Sequence, residues 1–227
     1  MKLGVLFSGG KDSVCACYMA MQTDEVSCLI TLASKNKESY MFHTPNISLA
    51  SLQAQACEIP LLEYETDGEK EKELLDLKSA IISAKEKYGI EGIVTGAIMS
   101  VYQASRVQKI CDSLDLWCFN PLWYVNQAEY MKNLIDCGFE IIISGVFSYP
   151  FDESWPGRRI DFKMLDELSY LSEKYKITLT GEGGEFETFV LDAPFFKRRI
   201  AIDKSESSCK NYNGEFSIIA AHLEDKC

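Results

Sequence analysis

The sequence has little of what a secreted, metal-stapled or nucleic-acid-coating protein needs. Its nine cysteines, at 15, 17, 28, 57, 111, 118, 137, 209 and 227, include no C-x-x-C pair. Neither a zinc ribbon nor a disulfide framework is indicated, and reduced, mostly buried thiols in a cytoplasmic protein are expected. Two histidines, His43 and His222, stand apart without ligand-spaced partners, so ordinary hydrogen-bonded or surface roles are expected of both. Positive charge is in deficit. The 23 Lys+Arg against 34 Asp+Glu leave −11, which argues against a broad grip on nucleic acid, whose affinity comes from neutralising phosphates. No apolar run approaches the ~18 residues of a membrane span, and Ser8-Gly9-Gly10-Lys11 interrupts the first apolar stretch before a signal-peptide core is complete. With 6 prolines and 14 glycines in 227 residues, disorder and collagen-like repetition are set aside as well.

What is present is a core-forming chain, 47% apolar and long enough for one large domain or one and a half. Short apolar runs alternate with helix-length segments through the first 120 or so residues. Leu3–Phe7, Val26–Ala33, Pro60–Tyr64, Gly92–Thr95 and Leu116–Phe119 read as strands. Asp12–Met21, Ile47–Cys57, Lys70–Tyr88 and Val101–Leu114 carry apolar residues at the three- and four-residue spacing of helices resting on a sheet. Thr66 and Glu69 are spaced as a capping box before the third helix. Parallel strands require crossover helices, and crossovers are right-handed. The expected architecture is therefore α/β, an open doubly wound parallel sheet of five strands, with its crevice at the strands' carboxyl ends.

Asn120-Pro121 ends the alternation, giving an expected division into 1–121 and 122–227. The second part reads as a smaller α+β domain. It has helices near Gln127–Cys137 and Lys163–Tyr175, a very apolar strand Glu140–Val146, and strands at Ile177–Thr180, Thr188–Leu191, Ile200–Ile202 and Phe216–His222. Trp117 and Trp123 are expected in the core, as are Cys15 and Cys17, while Trp155 sits in a polar loop where core and substrate contact are equally plausible.

Three segments carry chemistry. Ser8-Gly9-Gly10-Lys11-Asp12-Ser13 follows the first strand and opens the first helix. Glycines there let backbone N–H groups approach an anion, the helix terminus favours negative charge, and two hydroxyls add donors, which together make a phosphate cradle. Thr95-Gly96-Ala97-Ile98-Met99-Ser100 lies at the carboxyl end of the fourth strand, followed by Tyr102, Gln103 and Arg106. A glycine at 96 would let a flat ring or ribose approach closely. Gly181-Glu182-Gly183-Gly184-Glu185-Phe186-Glu187-Thr188 packs three acids and three glycines into eight residues. Carboxylates that repel in an entropically costly turn suggest a cation or a partner's positive group between them.

The hexapeptide S-G-G-K-D-S resembles the pyrophosphate loop of the N-type ATP pyrophosphatases, the PP-loop superfamily that splits ATP between its α- and β-phosphates. Four further stretches narrow the resemblance to the diphthine-ammonia ligases: G-A-I-M-S-x-Y-Q from Gly96, P-L-W at Pro121–Trp123, D-E-S-W-P-G-R at Asp152–Arg158, and G-E-G-G-E-F-E-T-F-V-L-D-A-P-F-F at Gly181–Phe196. Ala104, Pro156 and Phe186 depart from the family's usual basic residue, Leu and Tyr, with Arg106 able to supply the first charge. The resemblance implies a HUP-type (adenine nucleotide alpha hydrolase-like) first domain and, from the chain's length, the short archaeal form.

It also implies roles. Ser8, Gly9, Gly10, Lys11, Asp12, Ser13, Gly96, Ala97 and Tyr102 would bind ATP, with Lys11 and Asp12 catalytic and Asp12 near Mg²⁺. Gln103, Arg106, Trp155, Arg158, Glu182, Gly183, Gly184, Glu185 and Glu187 would meet the acceptor, the three glutamates counting as catalytic too, by receiving its trimethylammonium group or by steering and deprotonating ammonium. The implied reaction converts diphthine on translation elongation factor 2 to diphthamide, through an acyl-adenylate, with AMP and pyrophosphate released and free ammonia as nitrogen source. Implied partners are that elongation factor and ammonia, with no stable nucleic-acid binding, no membrane and a homodimer left open. The competing readings are a PP-loop amide ligase or tRNA-modifying enzyme with another substrate, and a non-catalytic nucleotide-binding module.

Overall fold

The computed structural model of the chain describes residues 1–34, 45–67 and 72–226. His43 and Glu69 of the expected capping box lie outside the described residues. The chain divides into two compact units, Met1–Trp123 and Tyr124–Cys227.

In the first unit the short apolar runs become five parallel strands. They are β1 (Lys2–Leu6), β2 (Glu25–Ser34), β3 (Leu61–Thr66), β4 (Gly92–Val94) and β5 (Trp117–Phe119), in the order β3-β2-β1-β4-β5. Helices α1 (Lys11–Ala20), α2 (Ala50–Cys57), α3 (Lys72–Tyr88) and α4 (Val101–Ser113) connect them, and a short 3-10 turn, Ile47–Leu49, precedes α2. α3 buries Leu77, Ala80, Ile81 and Ala84, the stripe its sequence spacing demands. These pack with Ile30 and Leu32 of β2, Ile93 of β4 and Val107, Ile110 and Cys111 of α4 into one core. Burial raises the thiols of Cys28 to about 12 and Cys57 to about 11, so both stay protonated and serve as small apolar side chains. Cys15 and Cys17 are buried as expected. Trp117 and Trp123 are not core residues: they are 66% and 37% exposed. Trp117 stands on β5, an edge strand, and Trp123 at the end of the unit.

The strand order fixes where a ligand crevice lies. From β1 the chain moves outward through β2 and β3, then returns to place β4 on the other side of β1. The loops leaving β1 and β4 therefore diverge from neighbouring carboxyl ends, the switch point at which open α/β sheets bind ligands.

The second unit contains α5 (Gln127–Asp136), β6 (Glu140–Val146), α6 (Phe162–Tyr175), β7 (Phe186–Asp192), β8 (Arg198–Lys210) and β9 (Asn213–Asp225). Its four strands form an antiparallel sheet ordered β7-β6-β9-β8. Asn126 and Asp161 cap α5 and α6 by accepting from the N–H of Glu129 at 3.1 Å and of Met164 at 2.8 Å. Two expectations fail here. Ile177–Thr180 is no strand, because the N–H of Thr178 donates to Glu185 and that of Leu179 to Gln127, leaving neither for a ladder. β8 and β9 are 13 residues each, far longer than their apolar centres, because Asn211 and Tyr212 both take positive φ, 53° and 62°. Such a two-residue turn matches strand twist and lets the ladder run through polar residues.

On that hairpin His222 Nδ1 lies 2.9 Å from Asp203 Oδ1, and the carboxylate holds the imidazole above its ordinary value of 6.5. The pair's contribution to stability is complete below pH 6.5 and lost as pH rises through the raised folded value. Asp203→Asn should therefore lower the His222 pKa in an NMR titration of the ring protons; an unchanged midpoint would remove the carboxylate as the cause.

Candidate functional site

The turn expected to cradle phosphates is built by a strand that ends and a helix that begins without a side-chain cap. Phe7 N still donates to Ile30 O at 2.8 Å, Gly9 turns the chain with φ +79°, and Gly10 is the N-cap residue of α1. The first helical bond runs from Val14 N to Gly10 O at 3.1 Å, so the preceding backbone donors lie outside the helix's own ladder. The hydroxyls brace the turn. Ser13 Oγ accepts from Ser8 N at 3.2 Å, lies 3.2 Å from Ser8 Oγ and donates to Gly10 O at 3.0 Å. Lys11, only 2% exposed, holds Asp12 Oδ2 at 2.9 Å. The cation and the acid of the motif thus balance each other at the start of the helix.

Two residues set the loop's position. Gln53, fully buried on α2, donates from Nε2 to Gly9 O at 2.9 Å, and a Cβ on Gly9 would collide with Gln53 Oε1. Sequence reasoning passed over Gln53; its signal is a polar side chain on the apolar face of a short alanine-rich helix. Gly96 is the second. A Cβ there would stand 2.7 Å from both Asp12 C and Ser13 N, so the turn after β4 rests on the backbone at the start of α1. On the side a Cβ would occupy, the place is filled by the start of α1. Thr95 Oγ1 accepts from Ala97 N at 3.2 Å and bonds Asn120 Oδ1 at 2.5 Å, holding this turn to the end of β5. Ser100 caps α4 through Gln103 N, and Arg106 lays its guanidinium 3.4 Å from the centroid of the Tyr102 ring. The structure thus brings Ser8–Ser13, Gly96, Ala97 and Gln53 into one neighbourhood.

The remaining residues belong to the second unit. Glu185 is 8% exposed, and its carboxylate accepts from Thr178 N at 2.7 Å and Thr178 Oγ1 at 2.9 Å. Thr178 Oγ1 in turn accepts from Gly183 N at 3.2 Å. Glu185 therefore fastens its own turn. Glu182 and Glu187 are half-buried, Glu187 paired in register with Gly145 of β6. Gly183 and Gly184 are exposed. Trp155 is buried edge-to-face on Phe151 with ring centroids 4.7 Å apart, and Arg158 lies over its ring at 4.5 Å while pairing with Glu167 at 2.8 Å. Among the described residues no group of three or more His, Cys, Asp or Glu could hold a metal ion, and no helix is long and apolar enough to cross a membrane.

Two substitutions test this geometry. Gly96→Ala should cost about 1–3 kcal/mol in urea unfolding, because its methyl meets backbone and not a flexible side chain; wild-type stability would show that the two turns do not touch. Glu185→Gln should cost about 1–3 kcal/mol, since an amide turns an N–H toward donors the carboxylate accepted from, and an unchanged melt would deny Glu185 this fastening role.

The sequence comparisons agree with this layout. Residues 1–117 match the family model of the diphthamide synthase N-terminal domain, and residues 126–223 that of the diphthamide synthase C-terminal domain. A diphthine–ammonia ligase of Bos taurus is 34% identical over 255 aligned positions, which take in 100% of this chain and 94% of that protein. The Homo sapiens protein of the same name is 33% identical with the same coverage. The Schizosaccharomyces pombe one is 29% identical, with 91% of this chain but 37% of that protein covered. A solved chain described as a predicted subunit of tRNA methyltransferase from Methanocaldococcus jannaschii superposes at TM-score 0.44 and 16% identity, over 85% of this chain and 97% of that one. Matched by both domain models along nearly its whole length, the chain belongs to the diphthamide synthase family.

Proposed function

We propose that the chain is a diphthine–ammonia ligase, amidating the carboxylate of diphthine on translation elongation factor 2 at the expense of ATP. The observation that carries this reading is the S-G-G-K-D-S turn at the start of α1, set at the switch point of the sheet in a member of this family. ATP supplies the activation of a carboxylate that ammonia alone would not attack, leaving as AMP and pyrophosphate.

The residues present fit a nucleotide's phosphates. The left-handed Gly9 and the capless Gly10 present backbone to an anion, in a turn that a side chain at Gly9 would drive against Gln53. Lys11 is the motif's cation for that charge, and Asp12 its carboxylate for Mg²⁺, an ion commonly held by one or two carboxylates together with phosphate oxygens and water. Binding therefore exchanges the Lys11–Asp12 pair for two external partners, so that neither charge is left alone at any stage. Gln53 holds the Gly9 carbonyl and so fixes the shape of the loop. Ala97, Tyr102, Gln103 and Arg106 complete the nucleotide side.

Acceptor recognition falls to the second unit, through Trp155, Arg158, Glu182, Gly183, Gly184 and Glu187, with Glu185 shaping the turn that carries them. The net charge of −11 favours a protein acceptor over RNA, and the reaction takes place in the cytoplasm.

Purified protein incubated with diphthine-bearing elongation factor, ATP, Mg²⁺ and ammonium should yield AMP and pyrophosphate, with a mass decrease of about one unit on the factor as hydroxyl or oxide gives way to amide. Lys11→Ala and Asp12→Ala should each lower this rate by about a hundredfold or more, as loss of groups contacting the transferring phosphate does. ADP and phosphate as products, or full activity in both variants, would overturn the reading.

A further inference from the structure

The second unit contains a recess of about 500 Å³ between the loop through Pro150, Asp152 and Trp155 and one face of α6, where Asp166, Glu167 and Tyr170 stand. Its size is that of a small-ligand pocket, and its walls combine two features that seldom coincide by accident of packing: aromatic rings and an excess of carboxylate. Three carboxylates line it, those of Asp152, Asp166 and Glu167. Asp152 is held below the usual carboxylate range by the hydroxyl and N–H of Ser154, and Glu167 by Arg158, so both are charged at neutral pH. Arg158 and, at longer range, Lys163 offset part of this negative charge.

Both aromatic rings of the recess already carry a cation of the chain itself. The Arg158 guanidinium lies 4.5 Å from the centre of Trp155, and Lys174 Nζ lies 5.5 Å from that of Tyr170. The walls therefore select positive charge in the chain's own packing. A methylated ammonium suits them better than a plain one: it has no N–H to give a single carboxylate, is weakly hydrated, and is bound by ring faces together with diffuse negative charge.

We propose that this recess binds a quaternary ammonium group carried by a protein, which, if the function proposed above is right, is the trimethylammonium of diphthine. A protein carrier is indicated by the rim. Tyr149, Tyr170 and Tyr212 are 53%, 59% and 42% exposed, and Tyr149 meets both Tyr175 and Tyr212 edge-on with centroids 5.1 and 5.0 Å apart. A pre-ordered tyrosine surface beside a pocket is the composition of a protein-binding hot spot. The recess then positions the acceptor by its fixed charge, which sits on the carbon that bears the carboxylate being amidated and is unchanged by the reaction.

The test uses the full chain with Tyr170→Ala and Asp166→Asn, both at half-buried or exposed positions on α6, in place of the buried Trp155. Two readouts are taken. In amidation assays each variant should raise KM for the diphthine-bearing factor by about tenfold while KM for ATP stays within about twofold. In NMR titrations with tetramethylammonium chloride, which need no turnover, the Trp155 indole N–H and the Tyr170 amide should shift in the wild type, and both variants should weaken the response. Tetramethylammonium shifts at the recess without any diphthine amidation would sink the proposed function and leave the recess as a quaternary-ammonium site. Normal amidation with KM for the factor unchanged in both variants, or no response of Trp155 and Tyr170 to the probe, would overturn the recess proposal while the ligase reading stands.

Discussion

The first unit depends on one contact: the turn after β4 lies on the backbone at the start of α1, at a distance only glycine allows at position 96. Parallel strand order brings the two carboxyl ends side by side, but order alone leaves several ångströms between loops. Gly96 closes that gap. The beginning of the helix is then held on one side by the Thr95–Ala97 turn and on the other by Gln53, which grips the carbonyl of Gly9. A loop rich in glycine would otherwise sample many conformations, and the entropy lost in ordering it is met during folding. Under the proposed function, an anion would meet a turn whose shape is already set.

Charge is arranged by the same economy of partners. Lys11, almost fully buried, is tolerable because Asp12 neutralises it at 2.9 Å. Glu185, also buried, is tolerable because Thr178 offers it an N–H and a hydroxyl. These two solutions differ in consequence. The Lys11–Asp12 pair can be exchanged for a phosphate and a metal ion without leaving a bare charge, so it suits a site that fills and empties. The Glu185–Thr178 clasp joins carboxylate to backbone within one unit and suits a turn that must keep its shape.

Much of this was legible in the chain. Alternating apolar runs and helix-length stripes specify the parallel sheet, and S-G-G-K-D-S marks the turn between β1 and α1, the place proposed for the phosphates. What was illegible is instructive in physical terms. Ile177–Thr180 has the β-branched residues of a strand, yet side chains from elsewhere, Glu185 and Gln127, take its N–H groups; propensity lost to tertiary hydrogen bonds. The long hairpin was underestimated because a backbone ladder beyond the core needs no apolar pattern, and an Asn-Tyr turn is a weaker signal than Asn-Gly. At Gly96 the sequence shows that a side chain is missing but not that the start of α1 fills the place a Cβ would take. Gln53 was missed because its partner, a carbonyl 44 residues away, leaves no trace in local pattern.

The central claim is that the β1–α1 turn, closed by Gly96 and Gln53, is the nucleotide's phosphate site. Backbone amide NMR of the full chain during titration with a non-hydrolysable ATP analogue carrying a methylene between its α- and β-phosphates tests it directly. The account predicts the largest shifts at Gly9, Gly10 and Ser13, with Gly96 and Ala97 next. Shifts confined to residues beyond Trp123, with Gly9 and Gly10 unmoved, would contradict it.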